Sequence, residues 1–175
     1  LAVTCFKGDE NAPKDKESAK IWESLGIPKS KIFFLGKSEN WWGPTGSVGP
    51  CGPDTEVFFY AGKDKPKGNP KKNKQWFEIW NAGVFIEYNK TKEGNLEKIM
   101  YKTVDTGMGV ERTLAILQGK NSVFETHMFL PLIKKIEELS NKKFKSNKKI
   151  TKSMSIISDH IKAATFIISD GVSPS

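Results

Sequence analysis

Val104-Asp105-Thr106-Gly107-Met108-Gly109-Val110-Glu111-Arg112 is the stretch that decides the fold, because a strand pattern runs through two glycines into a helix that opens with Glu-Arg. It is neither a P-loop nor the G-x-G-x-x-G dinucleotide fingerprint. Glycines at such a junction let a planar ligand approach the backbone closely. An arginine in the first helical turn can lay its guanidinium over a purine face or pair with phosphate. The plain alternative is a glycine turn followed by a surface arginine, and the segment read alone leaves both open.

On its N-terminal side the pattern is mostly that of strands. Residues 1–6 read as a short buried strand, and 15–25 as a helix presenting Ala19, Ile21, Trp22 and Leu25, closed by Gly26. Residues 31–35 form a second strand candidate. The stretch 42–54 is dense in Gly and Pro and predicts an irregular loop of special backbone shape. Residues 56–60 and 75–88, rich in Phe, Trp, Ile, Val and Tyr, predict strands joined by a long exposed connection, and 101–105 predicts one more short strand.

On the C-terminal side the period changes. Val110, Leu114 and Leu117 lie on one helical face ended by Gly119, and Phe129, Leu132, Ile133, Ile136 and Leu139 mark a second helix over 126–139. Residues 141–149 read as a linker. Ile150, Met154, Ile157, Ile161, Ala164 and Ile168 then form one face of a long helix stopped by Gly171 and Pro174. Strands first and helices later predict an α+β fold built on a largely antiparallel sheet and followed by helical structure.

Lys and Arg outnumber Asp and Glu by 28 to 20, a net charge of +8 that favours a polyanionic partner such as RNA. Much of the excess lies in two lysine tracts, 63–74 and 142–152, whose plain reading is solvated loop and linker. No segment approaches the roughly 20 apolar residues a spanning helix requires, so no membrane association is expected. Cys5 and Cys51 are far apart in sequence, which predicts free thiols and a reducing, cytoplasmic setting. His127 and His160 have no ligand spacing with either cysteine, and no zinc site is expected. A start at Leu1 and an end in mid-pattern suggest a piece of a longer protein.

The segment 104–112 resembles the third signature motif of class II aminoacyl-tRNA synthetases, in the Asp-Thr-Gly-Met-Gly-x-Glu-Arg form of the alanyl-tRNA synthetase family. Three further segments are similar to that family in the same order. Asn40-Trp41-Trp42, with Thr45-Gly46 and Gly49-Pro50-Cys51-Gly52-Pro53, resembles its glycine-proline loop, and Glu56-Val57-Phe58 the strand that follows. Phe77-Glu78-Ile79-Trp80-Asn81 and Val84-Phe85-Ile86-Glu87-Tyr88-Asn89 resemble its core strand. Ser158-Asp159-His160-Ile161-Lys162-Ala163-Ala164-Thr165-Phe166, with Ile168-Ser169-Asp170-Gly171-Val172, resembles the opening of its tRNA-recognition domain.

The resemblance implies a class II catalytic core over residues 1–145, with the linker and first helix of the tRNA-recognition domain over 146–175. It implies an enzyme that activates alanine with ATP and Mg²⁺ and transfers it to tRNA. Trp42, Asn81, Val84 and Asp105 would line the alanine pocket, with Asp105 facing the substrate ammonium and Trp42 limiting side-chain size. Gly107 and Gly109 would admit the nucleotide, Arg112 would stack on adenine or hold phosphate, and Glu78 would be the Mg²⁺ ligand. The other motifs, the editing domain and the oligomerisation region would lie outside this stretch, so it is expected to be inactive alone.

Three departures stand out: an extra residue around 44–48, Asp54 where the family usually has Cys, and an extra residue in Asn81-Ala82-Gly83-Val84, which leaves the pocket role open between Gly83 and Val84. Two rival functions fit the sequence less well. A non-catalytic paralogue would have no physical need for Asp105, Glu111 and Arg112 together. A generic RNA-binding domain would carry stacking aromatics on an open basic sheet, whereas these aromatics alternate as core residues do.

Overall fold

The computed structural model describes residues 1–173; Pro174, expected to help stop the last helix, lies outside the described residues. Two compact units are present, Leu1–Thr113 and the residues from Leu114 onward.

The first unit carries β1 (Ala2–Phe6), α1 (Lys16–Ser24), β2 (Ile32–Leu35), β3 (Trp41–Trp42), β4 (Gly49–Tyr60), β5 (Trp76–Lys90) and β6 (Leu96–Met108). The sheet order is β2-β1-β4-β5-β6, with β3 paired to β4 off that path. Only β1 and β2 run parallel; β1–β4, β3–β4, β4–β5 and β5–β6 are antiparallel. This is the α+β class expected, with a predominantly antiparallel sheet.

Helix α1 begins where Asp15 accepts a hydrogen bond from the Ser18 amide at 2.9 Å, and it ends before Gly26, whose φ of 92° suits a residue without Cβ. Of its expected apolar face, Ala19 is buried while Ile21 and Leu25 stay exposed. Trp22 uses its indole N–H instead, donating to Thr55 Oγ1 at 2.8 Å.

Two sequence expectations are corrected. The Gly/Pro stretch is not wholly irregular, since Gly49 to Asp54 opens the long strand β4. Gly52 explains how: a Cβ there would run into the carbonyl oxygen of Phe85, so only glycine lets β4 lie this close to β5. The ladder accommodates Pro53 by shifting register between Cys51 and Asp54, a bulge at which the missing N–H costs no pairing. Strand β6 is also far longer than 101–105. It escapes pattern reading because Met100, Tyr101 and Val104 are all exposed, so no inward/outward alternation marks it.

The core of this unit has two parts. Ala2, Phe58, Tyr60 and Trp76 form one cluster, and Phe6, Ala12, Cys51 and Tyr88 form another against which Trp41 packs. Trp41 contributes ring contacts to Phe6 at 5.4 Å and to Tyr88 at 5.6 Å.

Helix α2 (Val110–Leu117) leads into the second unit. Its buried residue is Ala115, whereas Val110 and Leu117, expected on the inner face, are exposed. Helix α3 (Leu130–Ser140) starts later than predicted. The residues before it form a 3₁₀ turn over Val123–Glu125, and Thr126 caps that turn by donating its hydroxyl to the Val123 carbonyl at 2.6 Å. Helix α4 (Lys148–Ser169) is capped by Asn147, whose side chain accepts from the Ile150 amide at 2.9 Å. Phe129, Ile133 and Met154 are buried, with Phe124 edge-on to Phe129 at 5.0 Å. Of the predicted α4 stripe Met154 is inside, but Ile157, Ile161 and Ile168 are exposed.

Candidate active site

Directly paired residues of neighbouring strands share a sheet face, so register assigns the site. Thr4 pairs with Glu56, and Cys5 with Thr55 beneath Trp22. Asp54 pairs with Val84, Glu56 with Asn81, and Thr55 with Gly83. Val84 then pairs with Asp105, and Asn81 with Gly107. Thr4, Asp54, Glu56, Asn81, Val84 and Asp105 therefore occupy one face, and Gly83 the other.

That common face depends on one extra residue. Asn81 and Val84 are three apart and would face opposite ways in a regular strand, but the register shifts between them in both the β4–β5 and β5–β6 ladders. Gly83 fills the bulge on the far side, where a Cβ would meet the Phe85 ring at 3.0 Å and Thr55 Cγ2 at 3.3 Å.

A continuous polar network covers this face. Asn40, fully buried, donates through Nδ2 to Asp54 Oδ1 and to Thr4 Oγ1, both at 2.9 Å. Thr4 donates to Glu56 Oε2 at 3.1 Å, and Asn81 Nδ2 donates to Asp54 Oδ2 at 3.3 Å. Lys71 Nζ lies 3.1 Å from Glu56 Oε2 and donates to its Oε1 at 3.2 Å. The same ammonium is 3.7 Å from Glu78 and from Glu39. Arg112 Nη1 donates to the Glu78 carbonyl at 3.1 Å and lies 3.7 Å from its carboxylate.

Burial dominates the electrostatics. It pushes the Glu56 carboxyl up to about 7 although Lys71 works against it, and raises Asp54 although Asn40 and Asn81 donate to it. For Lys71 burial is the largest single influence and acts downward, but the charge and hydrogen bond of Glu56 together with the Glu78 and Glu39 charges outweigh it, and the ammonium ends above its ordinary value. Asn81 Oδ1 and Asn40 Oδ1 are buried acceptors without a partner.

The turn from β6 into α2 is fixed by Gly109, whose amide donates to the Ile79 carbonyl at 2.8 Å. Trp80 donates to Thr106 Oγ1 at 2.7 Å, and that hydroxyl donates to the Asn81 carbonyl at 3.1 Å. Asp105 is exposed and accepts from the Thr106 amide at 2.7 Å. A Cβ on Gly107 would meet open space, whereas one on Gly109 would press on Arg112 Cδ at 3.3 Å.

Asn81, Val84, Asp105, Gly107, Gly109, Arg112 and Glu78 are thus brought together on β5, β6 and the first turn of α2. Trp42 stands apart on β3, paired with Gly52 and 37% exposed, because its neighbour Trp41 takes the core position. Sequence reading missed Asn40, Asp54 and Lys71 as members of this site. Asp54 and Glu56, two carboxylates on alternate residues of an apolar strand, were a usable signal; Lys71, one lysine in a lysine-rich tract, offered none.

A six-stranded, mostly antiparallel sheet with a strand–Gly-x-Gly–helix junction carrying Arg112 over Glu78 is the geometry of a class II synthetase core. The chain belongs to the class II tRNA synthetase family, and the model described as tRNA synthetases class II (A) matches residues 1–175. Within that family it is 52% identical over 180 residues to an Alanine--tRNA ligase of Borreliella afzelii, covering all of this chain and 30% of that protein. It is 50% identical over 173 residues to the Alanine--tRNA ligase of Treponema denticola, covering 97% of the chain and 29% of that protein. The Thermotoga maritima Alanine--tRNA ligase is 46% identical over 169 residues, 93% of the chain and 20% of that protein. The chain spans under a third of the length of these relatives.

Proposed function

We propose that this chain is the second half of a class II catalytic core, with the beginning of a tRNA-recognition region, in an enzyme that activates alanine with ATP and joins it to the 3′ end of tRNA. In the first step the alanine carboxylate attacks the α-phosphate and pyrophosphate leaves. In the second, a terminal ribose hydroxyl of the tRNA attacks the activated carbonyl and AMP leaves. No side-chain nucleophile is required, so the residues act by alignment and charge neutralisation.

The observation that carries this reading is the shared face of Asn81, Val84 and Asp105 beside the Arg112–Glu78 pair. Asp105 supplies the charge for the alanine ammonium, and the unpartnered Asn81 Oδ1 is an acceptor available to the same group. Val84, paired between Asp54 and Asp105, is the small apolar contact for the alanine methyl; Gly83 faces away. Gly107, with open space where its Cβ would be, leaves room for the nucleotide, and Arg112 takes adenine or phosphate.

Glu78 suits Mg²⁺. Its carboxylate and that of Glu56 both reach the Lys71 ammonium, and among the described residues no three His, Cys, Asp or Glu side chains gather into a metal-holding group. A hard cation that keeps most of its ligands as water and phosphate is what so few carboxylates can serve, and when bound it would neutralise phosphate charge.

A functional boundary near residue 145 is part of this reading, with α4 on the side that meets tRNA. Among the described residues no helix is long and apolar enough to cross a membrane, and the two buried free thiols suit a reducing cytoplasm. Alanine-dependent ATP–pyrophosphate exchange by the full-length protein tests the reading. Exchange with alanine, and none from residues 1–175 alone, is expected. A full-length protein that binds tRNA but catalyses no exchange with any amino acid would make it a non-catalytic paralogue.

A further inference from the structure

Lys71 comes from an exposed, lysine-rich connection between β4 and β5, yet it does not behave as a solvated loop lysine. Its side chain is only 24% exposed, and its ammonium stands among the carboxylates of Glu39, Glu56 and Glu78. The backbone beneath it is held, since the Lys71 amide donates to Asn69 Oδ1 at 2.9 Å and Pro70 is buried. The Phe58 ring lies 5.3 Å from the ammonium on a further side.

The three carboxylates do not hold it equally. Glu56, with a side chain 6% exposed, binds the ammonium through both oxygens at 3.1 and 3.2 Å, whereas Glu78 and Glu39 stand at 3.7 Å, beyond a hydrogen bond. Lys71 is thus anchored on Glu56 and only faces Glu78. On its other oxygen Glu78 faces Arg112 Nη1, also at 3.7 Å. Both oxygens of this carboxylate look at a fixed cation.

We propose that Lys71 is a positioning residue that, anchored on Glu56, keeps Glu78 from taking up a divalent cation unless nucleotide phosphate arrives with it. The inference rests on the reading of Glu78 as a cation ligand. A free divalent ion approaching Glu78 meets two positive side chains within a few ångströms, and the ammonium already occupies the space between Glu78 and Glu39, the two carboxylates it faces at 3.7 Å without a hydrogen bond. Phosphate oxygens reverse that balance, because they supply the negative charge that both the ion and the two side chains lack. Metal and nucleotide binding are coupled as a result, and the empty enzyme does not hold stray metal in the position where ATP must be aligned.

Manganese binding to the full-length protein, followed by electron paramagnetic resonance without nucleotide, is the test. Lys71→Met should create a site or tighten one by at least about tenfold, since one of the two repelling charges is gone. Lys71→Arg should resemble the wild type. The double variant Lys71→Met/Glu78→Gln should lose the gain, which ties it to Glu78 and not to a remote site. Lys71→Met/Glu56→Gln, which leaves no buried carboxylate unpaired, should keep the gain and guards against a single variant that fails to fold. Equal manganese binding in wild type and both Lys71→Met variants that retain Glu78, or a gain that survives Glu78→Gln, overturns the proposal. Failure of the underlying reading is separately visible, because Glu78→Gln alone would then leave binding of the manganese–ATP complex unchanged.

Discussion

The Asn81 carboxamide is oriented by Asp54, which accepts from Asn81 Nδ2 with one carboxylate oxygen while Asn40 donates to the other. Asn81 Oδ1 is left as a buried acceptor without a partner, on the sheet face that also carries Asp105. Asp54→Ala should therefore act twice. Removing the acceptor that serves both amides, which leaves Asn40 only its bond to Thr4, should cost about 1–3 kcal/mol of stability, measurable by denaturant unfolding, and the Michaelis constant for alanine should rise more than that for ATP. Equal effects on both substrates would remove Asp54 from the positioning of Asn81.

Asp105→Asn in the full-length enzyme should impair alanine much more than ATP. A charge-assisted hydrogen bond contributes about 1.5–3 kcal/mol, which is at least roughly tenfold in kcat/KM for alanine. Pyrophosphate exchange with each substrate varied in turn measures this. An effect confined to ATP would show that Asp105 does not face the ammonium.

Burial pushes the Cys5 thiol up to about 11, with the nearby Thr55 hydroxyl acting the other way, and burial also raises Cys51. A raised folded-state value means the unfolded chain releases the proton first, so the associated stability is intact below about pH 9 and is lost as pH rises toward 11. At pH 8 the thiolate fraction of Cys5 should be about a hundredfold below that of an ordinary thiol, because two units separate them. Alkylation of the Cys5 peptide, read by mass spectrometry, should be slow in the native protein and fast in denaturant. Rapid native labelling at pH 8 would contradict the buried position.

Lys148, Lys149, Lys152 and Lys162 lie along α4, with the Lys162 ammonium also 5.6 Å over the Phe129 ring. Replacing the four by Gln should leave alanine activation nearly unchanged and weaken tRNA charging, most at low ionic strength, because phosphate attraction fades as salt rises. Comparing exchange with charging across a salt series decides it. If activation fell as far as charging, α4 would belong to the catalytic core and the functional boundary near residue 145 would be misplaced.

Local rules in the sequence were enough for β1, β2, β5 and the helices. Short apolar runs, three- and four-residue apolar steps and terminal glycines depend on neighbours close in the chain, which is why Asp15, Gly26, Gly119 and Asn147 sit at or near the element ends where local chemistry puts them. The motif around Asp105 and Arg112 was legible for the same reason, being one continuous strand–turn–helix segment. Tertiary structure decided what involves partners distant in sequence. Gly49 to Asp54 is strand because β5 lies against Gly52, and β6 is long because β5 pairs with it although its own side chains are exposed. Asn40, Asp54, Glu56 and Lys71 form one network only because register places three elements on one face, and a bulge of one residue turns Asn81 and Val84 to the same side. Pairing register and the burial of a charge are properties of the assembled sheet, and no local pattern of residues encodes either alone.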